Sequence, residues 1–146
     1  MKILFVCHGN ICRSPMAEFV FNDMARKAGL DAFAASAATS TEEIGNGVHY
    51  GTKKKLKEHG ISCEGKRAVQ MKKSDYEKYD YIIGMDSWNI TNINRIIGSD
   101  PDGKVYKLLD FADGGDIADP WYTHNFDITY DDIVRGCEGL IKRLTA

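Results

Sequence analysis

The sequence predicts an α/β fold, with a parallel sheet covered by helices on both faces. Three observations carry this. Short apolar runs alternate along the chain with stretches of helical periodicity, as strand–helix–strand units require. The runs at Lys2–Val6 and Tyr81–Met85 are nearly continuous in apolar residues, which suits strands buried on both faces. Finally, no repeat, low-complexity tract or linker interrupts the 146 residues, a length that fits one domain over residues 1–146.

Taken in order, Lys2–Val6 (Lys-Ile-Leu-Phe-Val) is the first strand. The next segment, Pro15–Ala28, carries Met16, Val20, Met24 and Ala28 on one helical face. Ser14 is expected at its N-cap, Pro15 at its first position and Gly29 as its stop. Ala32–Ser36 is a weak strand candidate, followed by a polar loop at Ala38–Thr41. Tyr50–His59 reads as a helix closed by Gly60, with Lys53, Lys54, Lys55 and Lys57 on a solvated face, or less favoured as a basic docking patch. Lys66–Gln70 is a short strand candidate, and Ser74–Glu77 has the spacing of a capping box. Tyr81–Met85 is the clearest inner strand. Asp86 or Ser87 caps the helix through Ile90, Ile93 and Ile97, which ends at Gly98. After a turn at Asp100–Gly103, Val105–Leu109 forms the last strand. Gly114-Gly115 opens an irregular segment. The final helix begins near Asp127 or Thr129 and buries Ile133, Cys137, Leu140, Ile141 and Leu144.

Composition excludes several classes. A net charge of −2 does not supply a broad nucleic-acid footprint, and no apolar run reaches membrane-spanning length. Gly45-Asn46-Gly47 lacks the strand and third glycine of a dinucleotide fingerprint. Cys7, Cys12, Cys63 and Cys137 show no paired metal-ligand spacing. Four cysteines without a secretory signal suit a reduced, cytoplasmic protein, and a monomer is the expectation.

The chemistry concentrates in Cys7-His8-Gly9-Asn10-Ile11-Cys12-Arg13-Ser14. A loop between a strand end and a helix start turns backbone N–H groups inward, and the helix dipole adds positive potential at the same point. Arg13 supplies a planar fork suited to two phosphate oxygens. A thiol in that setting is readily held as its nucleophilic thiolate, so Cys7 is the candidate nucleophile. The amides of His8, Gly9, Asn10, Ile11 and Cys12 are the candidate phosphate cradle. A phosphate ester also needs an acid for its leaving oxygen. Asp119, in Asp119-Pro120-Trp121-Tyr122, follows the last strand and is expected over the same sheet edge. On the residues alone, an ordinary Asp-Pro turn is an equal reading.

The loop resembles the Cys-x5-Arg-Ser phosphate loop of the low-molecular-weight protein tyrosine phosphatases, which also lies close to the start of the chain. The likeness extends through Ser36-Ala37-Ala38-Thr39 and Asp119-Pro120 to the last helix. It implies a Rossmann-like four-stranded parallel sheet and hydrolysis, with no metal and no cofactor, of phosphotyrosine in proteins and of small aryl phosphates. Inorganic phosphate and other oxyanions would bind as product or inhibitor. It also implies the roles. Cys7 forms a phosphocysteine, Arg13 holds the phosphoryl oxygens, and Ser14 donates to the Cys7 sulfur. Asn10 and Ser36 support the loop, and Asp119 is the general acid and base. Trp121 and Tyr122 flank the substrate ring. Many family members carry a second loop cysteine that protects the first, which casts Cys12 as a disulfide partner of Cys7. From the residues alone, Cys12 is equally a small buried hydrophobe.

Three positions depart from the family pattern. Glu42 replaces a cleft-wall aromatic, Trp121 a tyrosine, and Gly65 the histidine of animal members. Family members acting on phosphoarginine carry threonine where this chain has Ile11, so phosphotyrosine is the expected substrate. An arsenate reductase would need two further cysteines, and Tyr76–Ser87 holds none. A phosphotransfer carrier or a non-catalytic phosphotyrosine-binding module would not need both Cys7 and Asp119. Of the histidines, His8 reads as packing or loop support rather than a base, His124 as a surface residue of the acid loop that could also touch substrate, and His49 and His59 as structural residues without visible partners.

Overall fold

The computed structural model describes residues 1–146. Its strands are β1 (Lys2–Cys7), β2 (Phe33–Ala38), β3 (Tyr81–Gly84) and β4 (Val105–Lys107), all parallel, in the order β2-β1-β3-β4. The helices are α1 (Arg13–Lys27), α2 (Tyr50–Glu58), α3 (Asp75–Lys78), α4 (Ser87–Ile97), α5 (Pro120–Thr123) and α6 (Phe126–Thr145). The expected architecture is therefore present.

β1 organises both cores. Its side chains alternate across the sheet. Ile3, Phe5 and Cys7 enter a core with Met16, Val20 and Phe21 of α1 and Ile133, Cys137 and Leu140 of α6. Leu4 and Val6 enter a second core with Ile82 of β3 and Ile93 and Ile97 of α4. Residues 3–7 are all at most 3% exposed, which is why that stretch reads as continuously apolar. α6 lies close against the 3₁₀ turn Leu108–Phe111. A Cβ on Gly139 would stand 1.9 Å from the Phe111 carbonyl oxygen, so only glycine permits that approach.

The chain leaves β1 for β2 on one side and returns to β3 on the other. The carboxyl end of β1 is thus the point where strand order reverses, the place where open parallel sheets bind ligands. Cys7 is the last residue of β1.

Several local expectations need correction. α1 begins at Arg13, with Cys12 at the N-cap and Pro15 at the third position. Pro15 is tolerated there because the first four N–H groups of a helix lack intrahelical partners. The Ser14 hydroxyl makes no cap, since Cys7 and Asn10 engage it. Lys66–Gln70 is no strand: it makes only single bridges, Arg67 with Gly47 and Gln70 with Ala38. Between them the Val69 N–H donates to the Asn10 side chain instead of a ladder. Ser74 caps α3 without a side-chain bond. β4 ends at Lys107, and the residues expected to continue it form the 3₁₀ turn. α6 starts at Phe126, just before the expected residues, because Asn125 accepts the Ile128 N–H. Within the segment read as irregular, Pro120–Thr123 forms the one-turn helix α5.

Candidate active site

Asn10 gives the loop its shape. It takes the left-handed conformation at φ 59°, which asparagine tolerates better than most residues, and is 1% exposed. Its N–H points at Cys7 Sγ at 3.3 Å, and the Ser14 N–H approaches the same sulfur at 3.4 Å. Ser14 Oγ lies 3.0 Å from Sγ. That hydroxyl accepts from Asn10 Nδ2 at 2.7 Å, which leaves its proton free to point at sulfur. Three donors therefore converge on Cys7. Asn10 and Ser14 stand behind the sulfur and do not line the cleft.

A buried relay holds Asn10. Its second amide proton goes to Ser36 Oγ at 2.9 Å, and its oxygen accepts the Val69 N–H at 3.1 Å. Ser36 Oγ then donates to Glu18 at 2.5 Å. Burial raises the Glu18 carboxyl above its ordinary range, against the opposing pull of Ser36 and Lys66. Lys66 Nζ bonds the Ser36 carbonyl at 2.8 Å and stands 3.7 Å from Glu18. The sequence shows Ser36 but not Glu18 or Lys66. Glu18 sits five residues after Arg13 on a helix, where a carboxylate reads as solvent-facing.

Arg13 is 3% exposed and joins three segments. One terminal nitrogen donates to Asp86 Oδ2 at 2.7 Å and to the Ile117 carbonyl at 2.8 Å. The other lies 3.5 Å from Asp119 Oδ2. Burial works against the Arg13 charge. The Cys7 sulfur, Asp86 and Asp119 outweigh it and hold the guanidinium above its ordinary range. Asp86 is the main residue the sequence understates. It caps α4 as expected, through Oδ1 to the Asn89 N–H at 2.8 Å, and uses Oδ2 to orient Arg13. Its signal was its place just past the end of β3.

The Asp119 loop reaches the same sheet edge, as expected. The Ile117 N–H donates to the Met85 carbonyl at the end of β3. Asp119 caps α5, its Oδ1 accepting the Trp121 N–H at 3.0 Å, while Oδ2 faces Arg13. Pro120 at the first helical position is buried. His124 closes α5 in the left-handed conformation at φ 59°.

These pieces enclose a cleft of about 130 Å³. Its floor is Cys7, His8, Gly9, Ile11, Cys12 and Arg13. Its walls are Glu42 and Glu43 on one side and Asp119, Trp121 and Tyr122 on the other. Trp121 and Tyr122 are half and mostly exposed at the rim. His8 is not packed into the loop as expected. It is exposed, and its Nε2 meets Glu42 at 2.8 Å, tying the floor to the wall. Burial, reinforced by Asp119 and by the Cys7 sulfur, pushes the Cys12 thiol up to about 12, so it stays protonated beside Cys7. His49 and His59 do have partners. His49 contacts Trp121 and Phe126, and His59 stacks on Tyr130 at 4.2 Å. No three His, Cys, Asp or Glu side chains converge to hold a metal ion, and no helix is long and apolar enough to cross a membrane.

Known proteins share this architecture. The low-molecular-weight protein-tyrosine-phosphatase YfkJ of Bacillus subtilis is 42% identical, covering 99% of this chain and 96% of its own. Its crystal structure superposes with a TM-score of 0.95 at 41% identity, over 99% of this chain and 94% of that one. PtpA of Staphylococcus aureus is 37% identical over 97% of this chain and 92% of its own. SP-PTP, a low-molecular-weight protein tyrosine phosphatase of Streptococcus pyogenes, superposes with a TM-score of 0.89 at 41% identity, over 99% and 93% of the two chains. The model of the family described as low molecular weight phosphotyrosine protein phosphatase matches residues 2–146, and the chain belongs to that family.

Proposed function

We propose that this protein is a metal-independent, cytoplasmic protein-tyrosine phosphatase that works through a phosphocysteine on Cys7. The observation that carries the reading is the convergence of three donors on Cys7 Sγ beside the buried fork of Arg13. Donors aimed at sulfur favour the thiolate and ease its later departure. The sulfur attacks phosphorus, and the ester oxygen leaves opposite it. The amides of residues 8–12 and Arg13 neutralise the equatorial oxygens of a loose transition state. Asp119 gives its proton to the leaving oxygen, then takes one from the water that releases inorganic phosphate from sulfur. Turnover of p-nitrophenyl phosphate with and without a chelator tests the reading. Undiminished turnover with chelator is expected, and loss of turnover would overturn metal independence.

Asp119→Ala is expected to slow phenyl phosphate about 100-fold or more, and p-nitrophenyl phosphate far less, because a stable phenolate needs little protonation. A leaving-group series reads this, and equal losses across it would remove Asp119 from the acid role.

The aliphatic Ile11 in the cleft floor, with Trp121 and Tyr122 at the rim, suits an aromatic ring and offers no hydroxyl to a guanidinium. A phosphotyrosine peptide should therefore exceed a phosphoarginine peptide in kcat/KM. The reverse order would overturn the assignment.

Cys12 supplies a redox prediction. Peroxide oxidises Cys7 to the sulfenic acid, the Cys12 thiol condenses with it, and water leaves as the disulfide forms. Both cysteines are free and buried on one loop. Cys12→Ser should retain catalysis and lose recovery by reductant after peroxide. Equal recovery, or no Cys7–Cys12 link by mass spectrometry, would refute it.

A further inference from the structure

His49 stands where three parts of the site meet, and the mechanism above gives it no task. Its backbone N–H donates to the Ile11 carbonyl at 2.8 Å. Three residues on, Thr52 Oγ1 donates to the Cys12 carbonyl at 3.1 Å. The first turn of α2 is thereby fastened to the phosphate loop. The imidazole reaches toward the acid loop. Its Nδ1 accepts the Gly51 N–H at 3.0 Å, which makes it the N-cap of α2 and puts the proton of the neutral ring on Nε2. The ring stacks on Phe126 at 5.3 Å and meets Trp121 edge-to-face at 5.7 Å. Phe126 comes this near because Gly51 is bare: a Cβ there would stand 2.3 Å from the Phe126 ring.

We infer that His49 is a positioning residue that holds the acid loop against the phosphate loop and so keeps Asp119 within reach of the leaving oxygen. The inference rests on Asp119 being the general acid. α5 has four residues, too few to hold an orientation by its own hydrogen bonds. Upstream of Asp119, Arg13 grips the loop at Ile117. Downstream, His49 meets Trp121, whose N–H is bonded to Asp119 Oδ1. Asp119 therefore sits between two fixings, and the second is the His49 ring. Loss of that ring frees Trp121, and the carboxyl moves with the N–H it accepts.

Two variants separate the ring from the cap. His49→Asn keeps an N-cap acceptor and removes the ring. His49→Phe keeps a ring and removes the acceptor. For His49→Asn, kcat/KM on phenyl phosphate should fall about tenfold, short of the ~100-fold that a full ångström of misplacement brings. Its kcat/KM on p-nitrophenyl phosphate, which reports the first step alone, should change less than about twofold, since that leaving group needs little acid. Inhibition by inorganic phosphate should hold, because the phosphate loop is untouched. In an Asp119→Ala background, His49→Asn should have no further effect. His49→Phe should lower Tm and keep the parent's leaving-group profile.

A parental profile in His49→Asn overturns the inference, as does an equal loss on both substrates. An additive loss in the Asp119→Ala background, or a His49→Phe profile like that of His49→Asn, also overturns it. A steep leaving-group series in Asp119→Ala alongside any of these leaves the general acid in place and removes only His49. A flat series in Asp119→Ala removes the acid and this inference together.

Discussion

Cys7→Ser is expected to lose turnover by on the order of 10⁴-fold or more, while the fold and phosphate binding persist. The side chain is 3% exposed at the end of β1, and the substitution is close to isosteric, so neither core is disturbed. The loop amides and Arg13 remain to bind phosphate. A hydroxyl holds its proton far more tightly than a thiol, and the three groups around Sγ are hydrogen-bond donors rather than a base. They stabilise an anion already formed and do not remove a proton. The measurements are p-nitrophenyl phosphate turnover, Tm, and titration with inorganic phosphate. Residual turnover within about 100-fold of the parent would take Cys7 out of the nucleophile role.

Arg13→Lys is expected to lose about 10³-fold in kcat/KM with the charge conserved. An ammonium cannot span the positions that the guanidinium fills at once. One terminal nitrogen of Arg13 is committed to Asp86 and Ile117, which leaves the other free to face the cleft beside Asp119. A lysine that keeps the Asp86 bond has no second arm for phosphate. One that turns to phosphate abandons Asp86 and the Ile117 carbonyl, and the acid loop loses its upstream hold. Tm should therefore fall as well, by roughly 5 °C. Phosphate affinity and kcat should drop together, since both need the fork. Near-parental turnover would show that charge alone suffices and would overturn the bidentate role.

Much of this was legible because it is local. The phosphate loop spans a strand end, five loop and cap positions and a helix start, and its chemistry depends on spacing within that stretch. β1 was equally plain, because a strand buried on both faces carries its environment in its own composition. Lys66–Gln70 misled for a related reason. Its Val69 N–H, which a strand would offer to a ladder, is taken by the Asn10 side chain, a partner 59 residues away. Ser14 was misplaced as a cap because α1 begins one residue earlier, at Arg13, which puts Ser14 inside the helix with its hydroxyl facing Cys7 and Asn10.

By itself the sequence determined the α/β class and singled out Cys7 and Arg13 as the candidate nucleophile and its arginine, since those follow from residue type and short-range spacing, whereas Asp119 as the candidate acid came from the family resemblance. Tertiary structure decided what holds each of them. Asp86 meets Arg13 across 73 residues, Glu18 reaches the loop through Ser36, and His49 reaches Trp121 from another helix. Periodicity shows which face of an element is buried but not which element covers it. Those pairings come from the strand order β2-β1-β3-β4, which sets the ends of β1 and β3 side by side and draws the acid loop over both.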